Sequence, residues 1–253
     1  IDIPKNIADQ ELNIEGPFFK KKIPKPTQEL CTDDIKQLAK IINFSKNPVI
    51  ILGKGAKNSY KLVRQFVEKT NIPVTTTIHG CGIFPETHKL SLRWLGMHGS
   101  AVANNVVQKA DLIISLGSRF DDRTTGNLEK FAPKAFEAAK DKKGGIVHVN
   151  IEQNELNFVV NSHYNFCCDV GHWIQNIIPH LKHKVRPIWF DYIHDLKEDG
   201  DFKLVKSENK IHMEHVLSEI YEDTKTKDVV FTTGVGNHQM QAYQFIKSDY
   251  PGK

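Results

Sequence analysis

Two stretches of the sequence combine residues suited to binding a long, anionic and partly flat cofactor. The first is Leu95-Gly96-Met97-His98-Gly99, in which glycines permit close backbone approach, Met97 offers a polarisable contact for a flat ring, and His98 offers a hydrogen-bond donor. The second is Arg119-Phe120-Asp121-Asp122-Arg123, which follows an apolar run. Arginine binds phosphate or carboxylate groups in a bidentate manner, and aspartate can orient arginine or accept hydrogen bonds from sugar hydroxyls.

Both stretches also have an ordinary structural interpretation. The first can be the capped start of a helix, and for His98 taken alone an exposed position at that cap is favoured. The second can be a cluster of exposed ion pairs, which would contribute little stability. Its position favours a binding site, because ligands of parallel α/β sheets bind where the strands end at their carboxyl edge.

A third candidate is the turn Gly53-Lys54-Gly55-Ala56, which joins an apolar run at 49–52 to a helical pattern. Free backbone N–H groups and the helix dipole attract anions at such a turn. The turn lacks the third glycine of the dinucleotide fingerprint and the Gly-Lys-Ser/Thr ending of a nucleoside-triphosphate loop. A tight strand-to-helix connection without a ligand explains the glycines equally well.

The elements that would position these residues alternate between short apolar runs and amphipathic helices. Strands are predicted at 49–52, 73–77, 112–116, 145–151, 164–168 and 228–233, and helices are predicted from a cap on Thr32, after Ala56, from Ala101, after Asp169, from Pro187, from Met213 and after Gln239. Strands that alternate with helices imply right-handed crossovers. We therefore predict an α/β fold, a doubly wound parallel sheet, followed by the truncated start of a second α/β domain.

Composition and residue spacing argue against several other classes of protein. The net charge of +4 comes without a basic run interleaved with aromatic residues, so no nucleic-acid partner is predicted. No run approaches the roughly 18 apolar residues that span a bilayer, so no membrane association is predicted. The four cysteines lack CxxC spacing and the histidines lack metal-ligand spacing, so no metal site is predicted. His148 alternates within an apolar strand and is predicted to be a core histidine with its hydrogen bonds satisfied.

Three motifs, taken in order, resemble the catalytic subunit of acetohydroxyacid synthase (acetolactate synthase), a family of thiamine-diphosphate enzymes, and most closely its fungal form. The motifs are residues 95–99, 119–127 and 232–240. The resemblance covers nearly the whole chain. Since the sequence begins at Ile1 without a methionine and stops at Lys253 without a natural ending, we expect a piece of a longer polypeptide.

The resemblance implies a division of the chain into parts of three α/β domains. Residues 1–30 would be the exit of the pyrimidine-binding domain and a linker, and residues 31–185 the central FAD-binding domain. Residues 186–226 would form a linker with helices. Residues 227–253 would be the truncated start of the thiamine-diphosphate (pyrophosphate) binding domain.

The resemblance also implies site residues. FAD would be held by Gly53, Gly55, Ala56, Thr77, Ile78, Leu95, Gly96, Met97, His98, Gly117, Ser118, Arg119, Asp121, Arg123, Asn150, Ile151, Asp169 and Val170. Met97, Asp122 and Arg123 would line the substrate channel, and Val235, Gly236, Asn237 and His238 would bind thiamine diphosphate. The glutamate that activates thiamine and the Mg²⁺ ligands would lie outside the chain, so its catalytic residues stay unassigned.

The implied reaction condenses two pyruvates to 2-acetolactate and CO₂, or pyruvate with 2-oxobutyrate to 2-aceto-2-hydroxybutyrate, in branched-chain amino-acid biosynthesis. The substrates would be small 2-oxo acids, and the parent protein a homodimer or tetramer with a regulatory subunit. The fungal resemblance implies a mitochondrial location, and the isolated chain is expected to be inactive. Two alternatives remain, namely another thiamine-dependent 2-oxo acid decarboxylase or carboligase, and a stand-alone nucleotide-binding module.

Overall fold

A computed structural model of the protein describes residues 29–204 and 210–253. Its six strands are β1 (Pro48–Leu52), β2 (Val74–Thr76), β3 (Ser91–Trp94), β4 (Leu112–Leu116), β5 (Gly145–Asn150) and β6 (Tyr164–Cys167). They form one sheet in the order β3-β2-β1-β4-β5-β6, and every neighbouring pair is parallel. The predicted doubly wound parallel sheet is confirmed, and the strand order reverses between β1 and β4.

Helices cover both faces of this sheet. They are α1 (Thr32–Phe44), α2 (Tyr60–Thr70), α3 (Ala101–Lys109), α4 (Asp122–Thr125), α5 (Pro133–Lys140), α6 (Val170–Ile177), α7 (Pro187–Glu198), α8 (Met213–Thr224) and α9 (Asn237–Phe245). Along β1, Ile50 and Leu52 belong to one core cluster and Val49 and Ile51 to the other. Burial on both faces explains why this strand is continuously apolar.

The predicted helix cap at Thr32 is wrong by one residue. Cys31 occupies the N-cap position of α1 without a side-chain hydrogen bond, and Thr32 is the first helical residue. The Cys31 carbonyl accepts the Ile35 amide at 3.1 Å. Asp33 and Asp34 lie in the first turn, where their negative charge complements the positive end of the helix without a capping hydroxyl.

The strand predicted at 228–233 is not formed. No strand covers this run, and the Val230 side chain is exposed. A strand needs a neighbour that accepts and donates its backbone hydrogen bonds. None of the strands in the described residues pairs with this run.

Helix α7 packs on the same core as the sheet. Trp189 and Ile193 are buried in the cluster that contains Val49 and Ile51. Ahead of this helix, Arg186 donates to the carbonyls of Ile42 at 3.3 Å and Thr70 at 3.1 Å, and its burial lowers the pKa of the guanidinium to about 10. The segment after residue 185 is therefore anchored to the ends of α1 and α2.

Two sequence expectations concern the start of the chain and the membrane. Of the expected domain exit and linker at 1–30, residues 1–28 lie outside the described part of the chain. Within 29–204 and 210–253, no helix has both the length and the apolar character needed to cross a bilayer.

Candidate functional site

The turns that follow β1 and β4 touch each other at the point where the strand order reverses. The Gly53 amide donates to the Leu116 carbonyl at 2.9 Å, and the Gly55 amide donates to the Gly117 carbonyl at 3.0 Å. A Cβ atom at Gly53 would lie 2.3 Å from the Gly117 oxygen, which no side chain tolerates. The glycines of the Gly53-Lys54-Gly55 turn are therefore required by the packing of one turn on the other.

A groove with a volume of about 460 Å³ lies above these two turns. Its lining residues are Gly53, Lys54, Gly55, Thr77, His79, Gly117, Ser118, Arg119, Asp121, Asn150, Glu152 and Glu155. They come from the carboxyl ends of β1, β2, β4 and β5, as expected of a ligand site in a parallel sheet. The groove contains eight of the residues predicted to hold FAD, namely Gly53, Gly55, Thr77, Gly117, Ser118, Arg119, Asp121 and Asn150.

The floor of this groove is fixed by two side chains from β5. The Ser118 carbonyl lies 2.8 Å from Nε2 of His148 and accepts a hydrogen bond from the Asn150 amide at 3.0 Å. Because a carbonyl can only accept, Nε2 carries the proton of His148. Burial lowers the pKa of His148, which keeps the ring neutral. The predicted burial of His148 is confirmed, but its hydrogen bonds are satisfied at Nε2 and not at Nδ1, which is buried without a partner among the described residues. The Nε2 contact positions the backbone that leads into Arg119.

Asp121 is the N-cap of the short helix α4 and lies between two grooves. Its Oδ1 accepts the Thr124 amide and the Thr124 hydroxyl, both at 3.0 Å. This cap holds the loop after β4 in shape, while Arg119 and Arg123 on either side are exposed. Asp121 lines the groove described above and also a second one.

The turn Leu95–Gly99 and the loop after β4 are joined through their backbones. The Met97 amide donates to the Arg123 carbonyl at 2.9 Å. Gly96 has a φ of 114°, and a Cβ atom there would lie 2.3 Å from the Arg123 oxygen. One of the Arg123 guanidinium nitrogens lies 3.6 Å from the Met97 sulfur. The two motifs singled out in the sequence therefore form one unit.

Asn104, which was not singled out from the sequence, completes this turn. Its Oδ1 accepts the Gly96 amide at 2.9 Å, and its Nδ2 donates to the Gly96 carbonyl at 3.0 Å. Asp201 accepts the Ala101 amide at 2.9 Å and so caps α3, the helix that carries Asn104. An asparagine within a helical pattern gives no sequence signal for such a contact.

The second groove has a volume of about 400 Å³ and is bordered by the turn, the loop and the start of α9. Its lining residues are Ile78, Trp94, Leu95, Met97, His98, Asp121, Arg123, Thr124, Val235, Gly236, Asn237 and Met240. Arg123 is paired only loosely with Asp122, at 3.8 Å, and both side chains are exposed. A pair of this kind contributes little stability, so the guanidinium is available to an anionic ligand.

The start of α9 presents backbone donors to the same groove. Gly236 stands at the N-cap without a side-chain cap, and its φ of 150° suits glycine. The Gln239 amide bonds back to the Gly236 carbonyl at 3.0 Å. Of the residues predicted to bind thiamine diphosphate, Val235, Gly236 and Asn237 line the groove, and His238 follows them in the first helical turn. A helix start of this kind attracts phosphate groups.

Five residues predicted to contact FAD do not line either groove. Gly96 is one of them, since it is buried against the Arg123 carbonyl. Ala56 is fully buried, and Ile151 lies directly after β5. Asp169 caps α6 by accepting the Gly171 amide at 2.8 Å, and the Val170 side chain is buried in the core. The structure places Asp169 beside a separate surface depression that includes Tyr60.

No metal centre is found in the part of the chain that the structure describes. Within it, no three His, Cys, Asp or Glu side chains come together in a way that could hold an ion. The side chains that line the grooves include guanidinium, ammonium, imidazole and carboxylate groups together with apolar walls.

Comparison with known proteins agrees with this architecture. The family model described as thiamine pyrophosphate enzyme, central domain, matches residues 35–177. The chain is 36% identical to the mitochondrial acetolactate synthase catalytic subunit of Saccharomyces cerevisiae, over 96% of the chain and 38% of that protein. It is 35% identical to the chloroplastic acetolactate synthase 1 of Zea mays, over 99% of the chain and 39% of that protein.

A third relative is the mitochondrial acetolactate synthase catalytic subunit of Aspergillus candidus, with 38% identity over 86% of the chain and 33% of that protein. The chain thus spans between 33% and 39% of the length of these relatives. The resemblance drawn from the three motifs is confirmed. The matched region contains the whole parallel sheet and every residue that lines the first groove, whereas the start of α9 lies beyond it. The chain belongs to the thiamine pyrophosphate enzyme family, whose central domain it carries.

Proposed function

We propose that this chain is the central part of an acetolactate synthase catalytic subunit. The reaction is the condensation of two pyruvates to 2-acetolactate and CO₂, or of pyruvate with 2-oxobutyrate to 2-aceto-2-hydroxybutyrate. The relatives are named acetolactate synthases, and the chain aligns with them over nearly its whole length. This reaction belongs to branched-chain amino-acid biosynthesis.

The observation that carries the proposal is the groove shared by the Leu95–Gly99 turn, Arg123 and the start of α9. The exposed guanidinium and the helix start line the same groove. The guanidinium can bind a carboxylate, and the helix start can bind a diphosphate. Arg123 would attract the carboxylate of an incoming 2-oxo acid, and Met97 and Leu95 would contact its apolar part. Asp122 would orient Arg123 from the outer side.

The first groove suits FAD by the chemistry of its donors and acceptors. Lys54 and Arg119 supply positive charge for a diphosphate, and Asn150 and Asp121 supply groups for sugar hydroxyls. The two grooves adjoin at Asp121, which offers room for a cofactor that is long and partly flat. FAD would lie along the first groove with its flat ring beside Leu95, Met97 and Ile78.

The start of α9 suits the diphosphate of thiamine diphosphate. Val235, Gly236, Asn237 and His238 would surround it with backbone donors. Thiamine diphosphate, when bound, supplies the electron sink that 2-oxo acid decarboxylation requires. Mg²⁺ would accompany the diphosphate through ligands other than the residues assigned here.

Several wider properties follow from the same proposal. The protein would act on small 2-oxo acids, assemble as a homodimer or tetramer, and bind a regulatory subunit, since the fungal relatives are named catalytic subunits. A mitochondrial location is favoured by the names of those fungal relatives, whereas the plant relatives are named chloroplastic.

Product analysis tests the proposal. The purified full-length protein is incubated with pyruvate, thiamine diphosphate and Mg²⁺, and the products are separated and identified. Formation of 2-acetolactate that stops when thiamine diphosphate is left out is the expected result. Acetaldehyde or acetyl phosphate as the main product would instead assign the protein to another thiamine-dependent reaction.

A further inference from the structure

The edge strand β3 contains an irregularity centred on Arg93. The register between β2 and β3 shifts, so that Val74 pairs with Ser91 whereas Thr76 pairs with Trp94. Arg93 lies inside this bulge with a φ of 62°, in the left-handed region that an arginine rarely adopts. Backbone strain of this kind persists only where surrounding contacts enforce it, and it concentrates at functional positions.

The contacts of the Arg93 guanidinium explain the strained backbone. One terminal nitrogen donates to the Gln244 carbonyl at 3.1 Å and the other donates to the Tyr243 carbonyl at 2.8 Å. Both carbonyls belong to the last turn of α9, where backbone oxygens have no partner within the helix. A cation at this end of a helix is favourable because the dipole is negative there. Arg93 therefore holds the C-terminal end of α9.

Glu86 holds Arg93 in turn. Its Oε1 lies 3.6 Å from Nε of Arg93, and the Glu86 side chain is 2% exposed. Its Oε2 accepts the Ser248 amide at 2.7 Å. Burial raises the pKa of Glu86, and the charge of Arg93 is the largest influence that opposes this shift. Glu86 thus links Arg93 to the segment that follows α9.

The other end of α9 faces the groove that contains Met97 and Arg123. A helix of nine residues is about 13 Å long and moves as a rigid rod, so contacts at one end determine the position of the other. Gln244 adds a second connection, since its side-chain nitrogen donates to the His98 carbonyl at 2.9 Å. The last turn of α9 is therefore tied both to β3 and to the Leu95–Gly99 turn.

We infer that Arg93, held by Glu86, is a positioning residue that sets the start of α9 opposite Met97 and Arg123. This inference rests on the proposed role of the start of α9 in binding the diphosphate of thiamine diphosphate. Arg93 does not line that groove. It acts through the helix, by fixing the distance between the backbone donors of α9 and the guanidinium of Arg123.

The test compares three variants of the full-length protein with the unmodified protein. Arg93→Gln removes the positive charge and the guanidinium that donates to two carbonyls. Arg93→Lys keeps the charge but not the planar guanidinium, and Glu86→Gln removes the negative charge that pairs with Arg93. Thr87→Val is the matched control. Thr87 binds Asp249 at 2.8 Å, so it tethers the same terminal segment beyond the end of α9.

Two measurements are made on each variant. The first is hydrogen exchange of the backbone amides of α9, without added cofactor. The second is the dissociation constant for thiamine diphosphate, measured by calorimetry in the presence of Mg²⁺. Flavin bound per polypeptide, read from visible absorbance, reports whether the central domain remains folded.

For Arg93→Gln we expect faster exchange in α9 and a dissociation constant raised about tenfold, as for the loss of one charge-assisted hydrogen bond. Arg93→Lys should show a smaller rise, and Thr87→Val none, while flavin content stays unchanged in all of them. Faster exchange with an unchanged dissociation constant, or no change in either, would overturn the inference. Failure of the unmodified protein to bind thiamine diphosphate would reject both the proposed function and the positioning role. The exchange data would still show whether Arg93 stabilises α9.

Discussion

The Met97 amide and the Arg123 carbonyl form a 2.9 Å hydrogen bond that joins the turn after β3 to the loop after β4. Gly96 stands against the same carbonyl, with a φ that other residues rarely adopt. The apolar wall and the exposed guanidinium of the second groove are therefore fixed relative to each other by backbone atoms. Side-chain substitutions on the groove surface should leave this frame intact, whereas substitution of Gly96 should not.

Gly96→Ala is expected to destabilise the fold and to distort the second groove. The new Cβ would meet the Arg123 oxygen at 2.3 Å in addition to the strain of a positive φ. Gly126→Ala is the matched control, because Gly126 has a φ of 61° but a Cβ atom there would meet nothing in the described residues within 4 Å. Backbone strain alone costs roughly 1–3 kcal/mol. Urea denaturation should show a larger loss of unfolding free energy for Gly96→Ala; equal losses would contradict the close contact.

Arg123→Gln should raise the pyruvate concentration needed for half-maximal rate by about tenfold, because a charge-assisted contact with the substrate carboxylate is lost. The Arg123 side chain is 70% exposed, so the unfolding free energy should change by less than about 0.5 kcal/mol. Lys130→Gln removes an exposed cation outside the groove and serves as the control. An equal response of both variants would mean that Arg123 acts only through general surface charge.

Arg119→Gln should weaken FAD binding by about tenfold, since the guanidinium is exposed in the first groove where a diphosphate would lie. The measurement is a titration of the flavin-free protein with FAD, followed by fluorescence. Lys109→Gln, on the exposed end of α3, is the control. Unchanged FAD affinity in Arg119→Gln would remove this residue from the cofactor site.

His148→Gln should reduce the loss of stability on acidification. Burial lowers the pKa of His148 in the folded protein below its ordinary value of 6.5, so the unfolded chain binds more protons as the pH falls through that range. The stability that neutral His148 contributes is present above this value and declines below it. Glutamine keeps a donor for the Ser118 carbonyl but does not titrate.

The check is urea denaturation of both proteins at about pH 7.5 and about pH 5.5, on either side of the ordinary histidine pKa. The unmodified protein should lose more unfolding free energy between the two conditions than His148→Gln. Parallel losses would show that His148 titrates in the folded protein as it does in the unfolded chain.

The parallel sheet was predictable because its central strands are buried on both faces. β1 and β4 are apolar at nearly every position, and each is five residues long. An apolar run this short is typical of a buried strand and too short for a helix. β3 was missed because it is four residues long, lies at the edge and includes Arg93 in a bulge. The run at 228–233 has the composition of a strand, but composition does not supply a partner strand.

The candidate site was predictable in its parts and not in its connections. The residue types of the Leu95–Gly99 turn and of Arg119–Arg123 indicate binding, and their adjacency follows from parallel strands that end at one edge. The two segments contact each other through backbone atoms, which every residue has. Gly96 is therefore the one residue whose type indicates this contact in the sequence. Arg93 and Glu86 gave no signal, because a buried ion pair depends on the tertiary packing of separate segments.

A crystal structure of the full-length protein with FAD, thiamine diphosphate and Mg²⁺ tests the central claim most directly. We predict the diphosphate of thiamine on the backbone donors that start α9, across the second groove from Arg123, with the flat ring of FAD beside Met97 and its diphosphate near Arg119. Thiamine diphosphate bound away from the start of α9, or FAD outside the groove above Gly53 and Gly117, would contradict this account.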